Sequence, residues 1–177
     1  MNKIIKSVLF LAIVAGLSGA ALSFVYEMTD PVIQEAAIAS VKDSLSKIYT
    51  SGEEFKAVET SLSDYPSLQN VYEAVSGGST KGYIYKCSVS GYGGANTPIV
   101  FLVALDQDGT YKGYDVIDCS GETKGFGSQV AEETFKNGIV GKNIGDSIDT
   151  ISGATISSSA VVSGIEEATQ HYNANFK

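Results

Sequence analysis

"GYIYKCSVSGYGGANTPIVFLVALDQDGTYKGYDVIDCS", residues 82–120, is where the pattern of the chain turns to a period of two. "GYIYKCSVS" alternates apolar and polar residues, "PIVFLVALD" is a continuous apolar run suited to a buried central strand, and "TYKGYDVIDCS" alternates again. "QDG" at 107–109 is a hairpin turn signal, so the stretch predicts a three-stranded antiparallel meander. Cys87 falls in the first of these strands and Cys119 at the end of the third. With the middle strand between them they stand two strand spacings apart, about 9.5 Å, beyond the reach of a disulfide. Two free, mostly buried thiols are expected.

Helical patterns flank the meander. Before it, "TDPVIQEAAIASVKDSLSKIY" predicts a helix over 31–49, with Asp30 as N-cap and Pro31 at the first helical position. Val32, Ala36, Ala39, Val41, Leu45 and Ile48 make its apolar stripe, and "SGEEF" punctuates its end. Residues 53–75 are mixed, and "SGGST" at 76–80 reads as a turn. After the meander, "AEETFKNGIV" (131–140) predicts a helical piece, and a final helix follows "DTISGATISSS". Helices packed with an antiparallel meander make an α+β domain.

The start of the chain has a different character. Lys3 and Lys6 precede an uncharged run, "SVLFLAIVAGLSGAALSFVY", residues 7–26. Twenty helical residues span about 30 Å, the thickness of a bilayer's hydrocarbon core. A secretory signal peptide has a similar basic start, but this run is long for a signal core, so residues 1–26 are expected to be a transmembrane anchor. Both leading lysines precede the span while Glu27, Asp30 and Glu35 follow it. The positive-inside bias then places the N-terminus in the cytoplasm and residues 27–177 outside it. Ala12, Gly16 and Ala20, four apart, share a face on which another membrane helix can approach.

All 20 acidic residues and 10 of the 12 lysines follow Tyr26, so the second part carries a formal charge of −10. Such a surface argues against nucleic acid and anionic lipid as partners.

Near the end stands "DTISGATISSSAVVSGI", residues 149–165. Gly153 and Ala154 remove bulk beside Thr155, and Ala160, Val161, Ile165 and Ala168 continue with helical spacing. Thr155 and Ser157 to Ser159 therefore sit at a helix start, where free N–H groups and the macrodipole attract an anion such as phosphate. An ordinary Ser-rich cap is the competing reading of these residues alone. There is no Walker-type phosphate loop, no Gly-x-Ser-x-Gly elbow and no Gly-x-Gly-x-x-Gly fingerprint. No metal-ligand cluster is visible, and His171 in its polar tail is expected at the surface.

Three motifs in order carry a resemblance. Asp149-Thr150-Ile151-Ser152-Gly153-Ala154-Thr155 resembles the D-x-x-S/T-G-A-T flavinylation motif of the FMN-binding domain family found in RnfG and NqrC subunits. "GYGGANTPI" at 91–99 is similar to the family's glycine-rich segment, and "ETKGFG" at 122–127 to its E-T-P-G-L-G loop. Lys124 replaces the proline there and Phe126 the leucine, a departure that bears on the loop's rigidity and its ring contacts. The match runs over about residues 27–172, and the length is nearer to RnfG than to NqrC.

The resemblance implies FMN bound covalently through a phosphoester to Thr155, installed by a flavin transferase that uses FAD and reads Asp149. Ser152, Gly153 and Ala154 would line the phosphate. Glu122, Thr123, Gly125, Phe126, Gly127 and Tyr92 would border the flavin, although Tyr92 on its own pattern is rather a core residue. The implied function is an electron-carrying subunit of a membrane Rnf-type complex, a ferredoxin:NAD oxidoreductase coupled to Na⁺ or H⁺ translocation. Its partners would be other membrane subunits of that complex, including a second flavinylated subunit and iron–sulfur subunits. No independent catalytic site is implied. The alternative is a stand-alone membrane-anchored flavinylated carrier serving an extracytoplasmic reductase.

Overall fold

A computed structural model describes residues 3–48 and 54–177. The chain divides into two compact units, Met1–Ala39 and Ser40–Lys177, and the boundary falls within helix α1 (Lys3–Ile48). In the first unit α1 contains Ile5–Phe24, whose mean hydropathy of 2.1 over twenty residues makes it long and apolar enough to cross a membrane. Its Phe10, Leu17 and Leu22 are exposed, as are Ala12, Gly16 and Ala20. The helix expected to begin at Pro31 is instead part of α1, with Asp30 and Pro31 both helical. No glycine interrupts residues 21–51, and the helix continues although an interior proline loses its N–H bond and crowds the carbonyl four residues before it. Tyr49, the expected end, lies outside the described residues.

The second unit is built on one antiparallel sheet of strands β1 (Glu54–Val58), β2 (Leu68–Ser76), β3 (Ser79–Val89), β4 (Ile99–Asp106) and β5 (Tyr111–Asp118). Each strand pairs with the next in sequence, in the order β1-β2-β3-β4-β5. The expected three strands are β3 to β5, and β1 and β2 extend the meander to five. They escape a period-two reading because β1 has only five residues and β2 is bulged at both ends. Register shifts between Leu68 and Asn70 and between Ala74 and Val75 break its alternation. Both anticipated turns are present. Gly77 and Gly78 have φ of 60° and 79°, the pair of positive values a type I′ hairpin requires.

Alternation then decides the two faces. Tyr85, Cys87, Val89, Phe101, Val103, Leu105 and Tyr114 point to one side, where helix α3 (Thr155–Asn175) lays Val161, Ile165, Ala168 and Tyr172 on them. Burying each of these large side chains contributes about 1.5–3 kcal/mol. Tyr72, Ala74, Ile84, Leu102 and Ala104 point to the other side and are fully buried. The last turns of α1 cover that face: Val41 and Leu45 are buried, and Lys47 pairs with Asp115 at 3.2 Å. Ile48 sits so close over Gly113 that a methyl there would meet its Cγ2 at 2.5 Å.

The helical piece expected at 131–140 is shorter. A 3₁₀ turn (Gly127–Ala131) leads into helix α2 (Glu133–Asn137), and Gly138 ends it. Cys87 and Cys119 are both free thiols, in line with the strand-spacing argument. Cys87 is fully buried, but Cys119 stands one residue past β5 and is only half-buried. Burial pushes both thiols above their ordinary range, which suppresses the reactive thiolate.

Candidate functional site

Three connections meet at one end of the sheet: the β3–β4 loop carrying Tyr92, the segment after β5 carrying Thr123 and Phe126, and the turn 149–154 entering α3. Thr155 is the first residue of α3, and Ala154 before it makes no side-chain cap. The N–H groups of the first helical turn have no intrahelical acceptor, so they present partial positive charge at this end. Gly153 holds a φ of 84°, a left-handed conformation that costs glycine little and swings the chain into the helix. Ser158 fixes that turn. Its hydroxyl accepts the Ile151 N–H at 2.9 Å and donates to the Ala154 carbonyl at 2.9 Å.

These connections enclose a cleft of about 400 Å³, within the range of small-molecule sites. Of the residues singled out from the sequence, the cleft brings together Tyr92, Thr123, Phe126, Gly153, Ala154 and Thr155. Ser157, placed at the helix start by the sequence, also lines it, and so does Ile156, which as the residue after Thr155 was within reach of a sequence argument. None of these side chains is charged. Tyr92 is 69% exposed, Phe126 58% and Ile156 60%. The expectation that Tyr92 packs in the core therefore fails: it stands in a loop beyond the end of β3 with no layer above it.

The remaining positions lie around the cleft rather than in its wall. Ser152 is exposed in the turn. Gly125 is exposed in its loop, where its N–H donates to Ser128 Oγ at 2.9 Å. Gly127 is buried beneath the cleft, where a side chain would strike Glu122 and Ser157. Glu122 itself is 7% exposed, and its carboxylate accepts the N–H groups of Tyr92 at 3.3 Å and Gly93 at 3.1 Å together with the Ser157 hydroxyl. Asp149 is exposed and lines a second cleft of about 320 Å³ with Glu132 and Phe135.

His171, expected at the surface, is fully buried on the sheet side of α3. Its Nε2 meets Thr60 Oγ1 at 3.1 Å and its Nδ1 meets Tyr85 Oη at 3.2 Å, while the Tyr65 ring stands edge-on with centroids 5.1 Å apart. Burial lowers its pKa from the ordinary value. The signal lay in the spacing: His171 follows Ala168 by three and Gly164 by seven, on the buried stripe of α3.

Residues 91–170 match the family described as FMN-binding domain, a span that opens on the Tyr92 loop and closes inside α3. Over that span the chain resembles an FMN-binding domain. A relative from Clostridium ljungdahlii, the RnfG-type member of a proton-translocating ferredoxin:NAD(+) oxidoreductase complex, is 26% identical over 171 residues, covering 90% of this chain and 86% of its own. The RnfG-type member of an ion-translocating oxidoreductase complex of Methanosarcina acetivorans is 27% identical over 185 residues, covering 98% of this chain and 96% of its own. The crystal structure of Shewanella oneidensis NqrC superposes with a TM-score of 0.47 at 14% identity, over 80% of this chain and 90% of that one. The matched span thus contains every residue of the cleft wall, and the similarity to the two relatives extends over nearly the full chain.

Proposed function

We propose that this protein is an electron-carrying subunit of a membrane Rnf-type complex, with FMN held by a phosphoester on Thr155. The supporting observation is the position of Thr155: exposed, first in α3, on a cleft rimmed by the open rings of Tyr92 and Phe126 and lying inside the span that resembles an FMN-binding domain. The residues fit the group. Uncapped N–H groups at the helix start suit a phosphate, Gly153 and Ala154 leave space beside the hydroxyl, and the two rings offer flat apolar surface to an isoalloxazine. In the attachment reaction the Thr155 hydroxyl oxygen bonds to the FMN phosphorus of FAD, the pyrophosphate bond breaks and AMP leaves. A flavin transferase that reads Asp149 carries this out. When bound, FMN supplies one- and two-electron chemistry, and the protein supplies orientation and retention.

Residues 5–24 anchor the subunit, and Lys3 and Lys6 keep its N-terminus on the cytoplasmic side. The FMN-binding domain then stands outside the cytoplasm, passing electrons among membrane subunits that include a second flavinylated subunit and iron–sulfur subunits. The complex couples electron flow between ferredoxin and NAD to Na⁺ or H⁺ movement.

The test is co-expression with a flavin transferase, followed by a denaturing gel read by flavin fluorescence. A fluorescent wild-type band that goes dark in Thr155→Ala is the expected result. A dark wild-type band would refute the attachment.

A further inference from the structure

A carboxylate offers about four acceptor positions, and Glu is rarely buried without partners for them. Glu122 is 7% exposed, yet its oxygens turn away from the cleft, toward the protein. They accept two backbone N–H groups of the β3–β4 loop, from Tyr92 at 3.3 Å and Gly93 at 3.1 Å, and the hydroxyl of Ser157 in the first turn of α3. Two glycines make room for the group. A methyl at Gly91 would collide with Glu122 Oε1, and one at Gly127 with Glu122 Oε2 and, at 2.7 Å, with Ser157 Oγ.

All three walls of the cleft meet on this one side chain. Tyr92 is itself a donor residue, Ser157 follows Thr155 by two, and Thr123 adjoins Glu122 in sequence. The carboxylate also lies at the positive end of α3, where its charge is favoured. We propose that Glu122 is a positioning residue: without touching the flavin, its carboxylate sets the placement of Tyr92 against the Thr155 turn and so holds the environment of the ring. This rests on the reading of the cleft as the FMN site.

The test uses the full-length chain co-expressed with a flavin transferase, with Glu122→Ala, Glu122→Gln and Ser157→Ala beside wild type. Gel fluorescence after denaturation measures attached flavin, far-UV circular dichroism measures folding, and visible circular dichroism and fluorescence anisotropy, per attached flavin, measure ring placement. Glu122→Ala is expected to lose at least half of the visible dichroism and to lower the anisotropy. Glu122→Gln keeps one acceptor oxygen, for the Gly93 N–H, while its amide can donate to the Ser157 hydroxyl at the other position, so it restores part of both, as Ser157→Ala does. Where Glu122→Ala fails to fold or carries no flavin, the other two variants decide. Unchanged visible dichroism and anisotropy in every folded, flavin-bearing variant overturns the positioning role, and so does a Gln variant no better than Ala. A dark wild-type band would instead refute the attachment, so the two failures are distinguishable.

Discussion

Gly164 of α3 lies so close to Val89 of β3 that a methyl group at position 164 would stand 2.8 Å from Val89 Cγ1, and 3.1 Å from Phe101 Cζ. Helix propensity favours alanine over glycine by about 1 kcal/mol. Overpacking a filled core costs about 1–3 kcal/mol, and both neighbours are core side chains with little room to yield. The steric term wins. Gly164→Ala is expected to destabilise the domain by about 1 kcal/mol, read as a lower urea midpoint of the full-length chain in detergent. A midpoint at or above wild type would show that the helix can lift from the sheet without loss.

His171 gives the stability a pH dependence. Neutral imidazole has one donor and one acceptor, which the hydroxyls of Thr60 and Tyr85 satisfy, whereas the imidazolium needs two acceptors within an aromatic cage. Burial lowers the folded-state pKa below the ordinary value of 6.5. On falling pH the unfolded chain takes up this proton first, so stability is full above about pH 7.5 and declines through about 6.5. Thermal midpoints at pH 8, 7, 6 and 5.5 should fall more steeply for wild type than for His171→Gln. Parallel slopes would exclude the histidine as the source.

Opposite effects are expected from one chemical change at two tyrosines. Tyr72, under α1, is fully buried, and its hydroxyl has no hydrogen-bond partner among the described residues. An unsatisfied buried group costs about 1–3 kcal/mol, so Tyr72→Phe should leave stability equal or raise it by about 1 kcal/mol. Tyr114, under the 3₁₀ turn and α2, donates to the Val130 carbonyl at 3.1 Å, so Tyr114→Phe strands that acceptor and should lower stability by about 1 kcal/mol. Urea midpoints of the two variants moving in the same direction would contradict this assignment.

Much of the fold is legible without coordinates because its signals are local. Strands β3 and β5 show themselves through alternation, β4 through its unbroken apolar run, and their ends through the turns at 77–78 and 107–109, while the start of α3 at Thr155 shows through the small residues before it. β2 is hidden because two bulges shift its register, and α1 runs on through Pro31 although Asp30 and Pro31 read as a helix start. The site divides the same way. Thr155, Gly153 and Phe126 stand in the cleft wall where their motifs put them. Asp149 adjoins a different cleft, and Glu122 turns inward, since a motif's spacing does not reveal the direction of a side chain.

By itself the sequence determined what neighbours along the chain decide: the apolar span of residues 5–24, the antiparallel pairing of β3 to β5, the turn glycines and the helix beginning at Thr155. Only the tertiary structure decided which partner meets which. Tyr92 and Glu122 are 30 residues apart, and Glu122 and Ser157 are 35 apart. It made an acidic motif residue into the anchor of three cleft walls, a tail histidine into a core group, and a glycine unfavourable for its helix into the one that lets the helix reach the sheet. Periodicity and turn chemistry are short-range properties, whereas burial, acceptor supply and steric clearance come from segments that meet only when the sheet and α3 are packed.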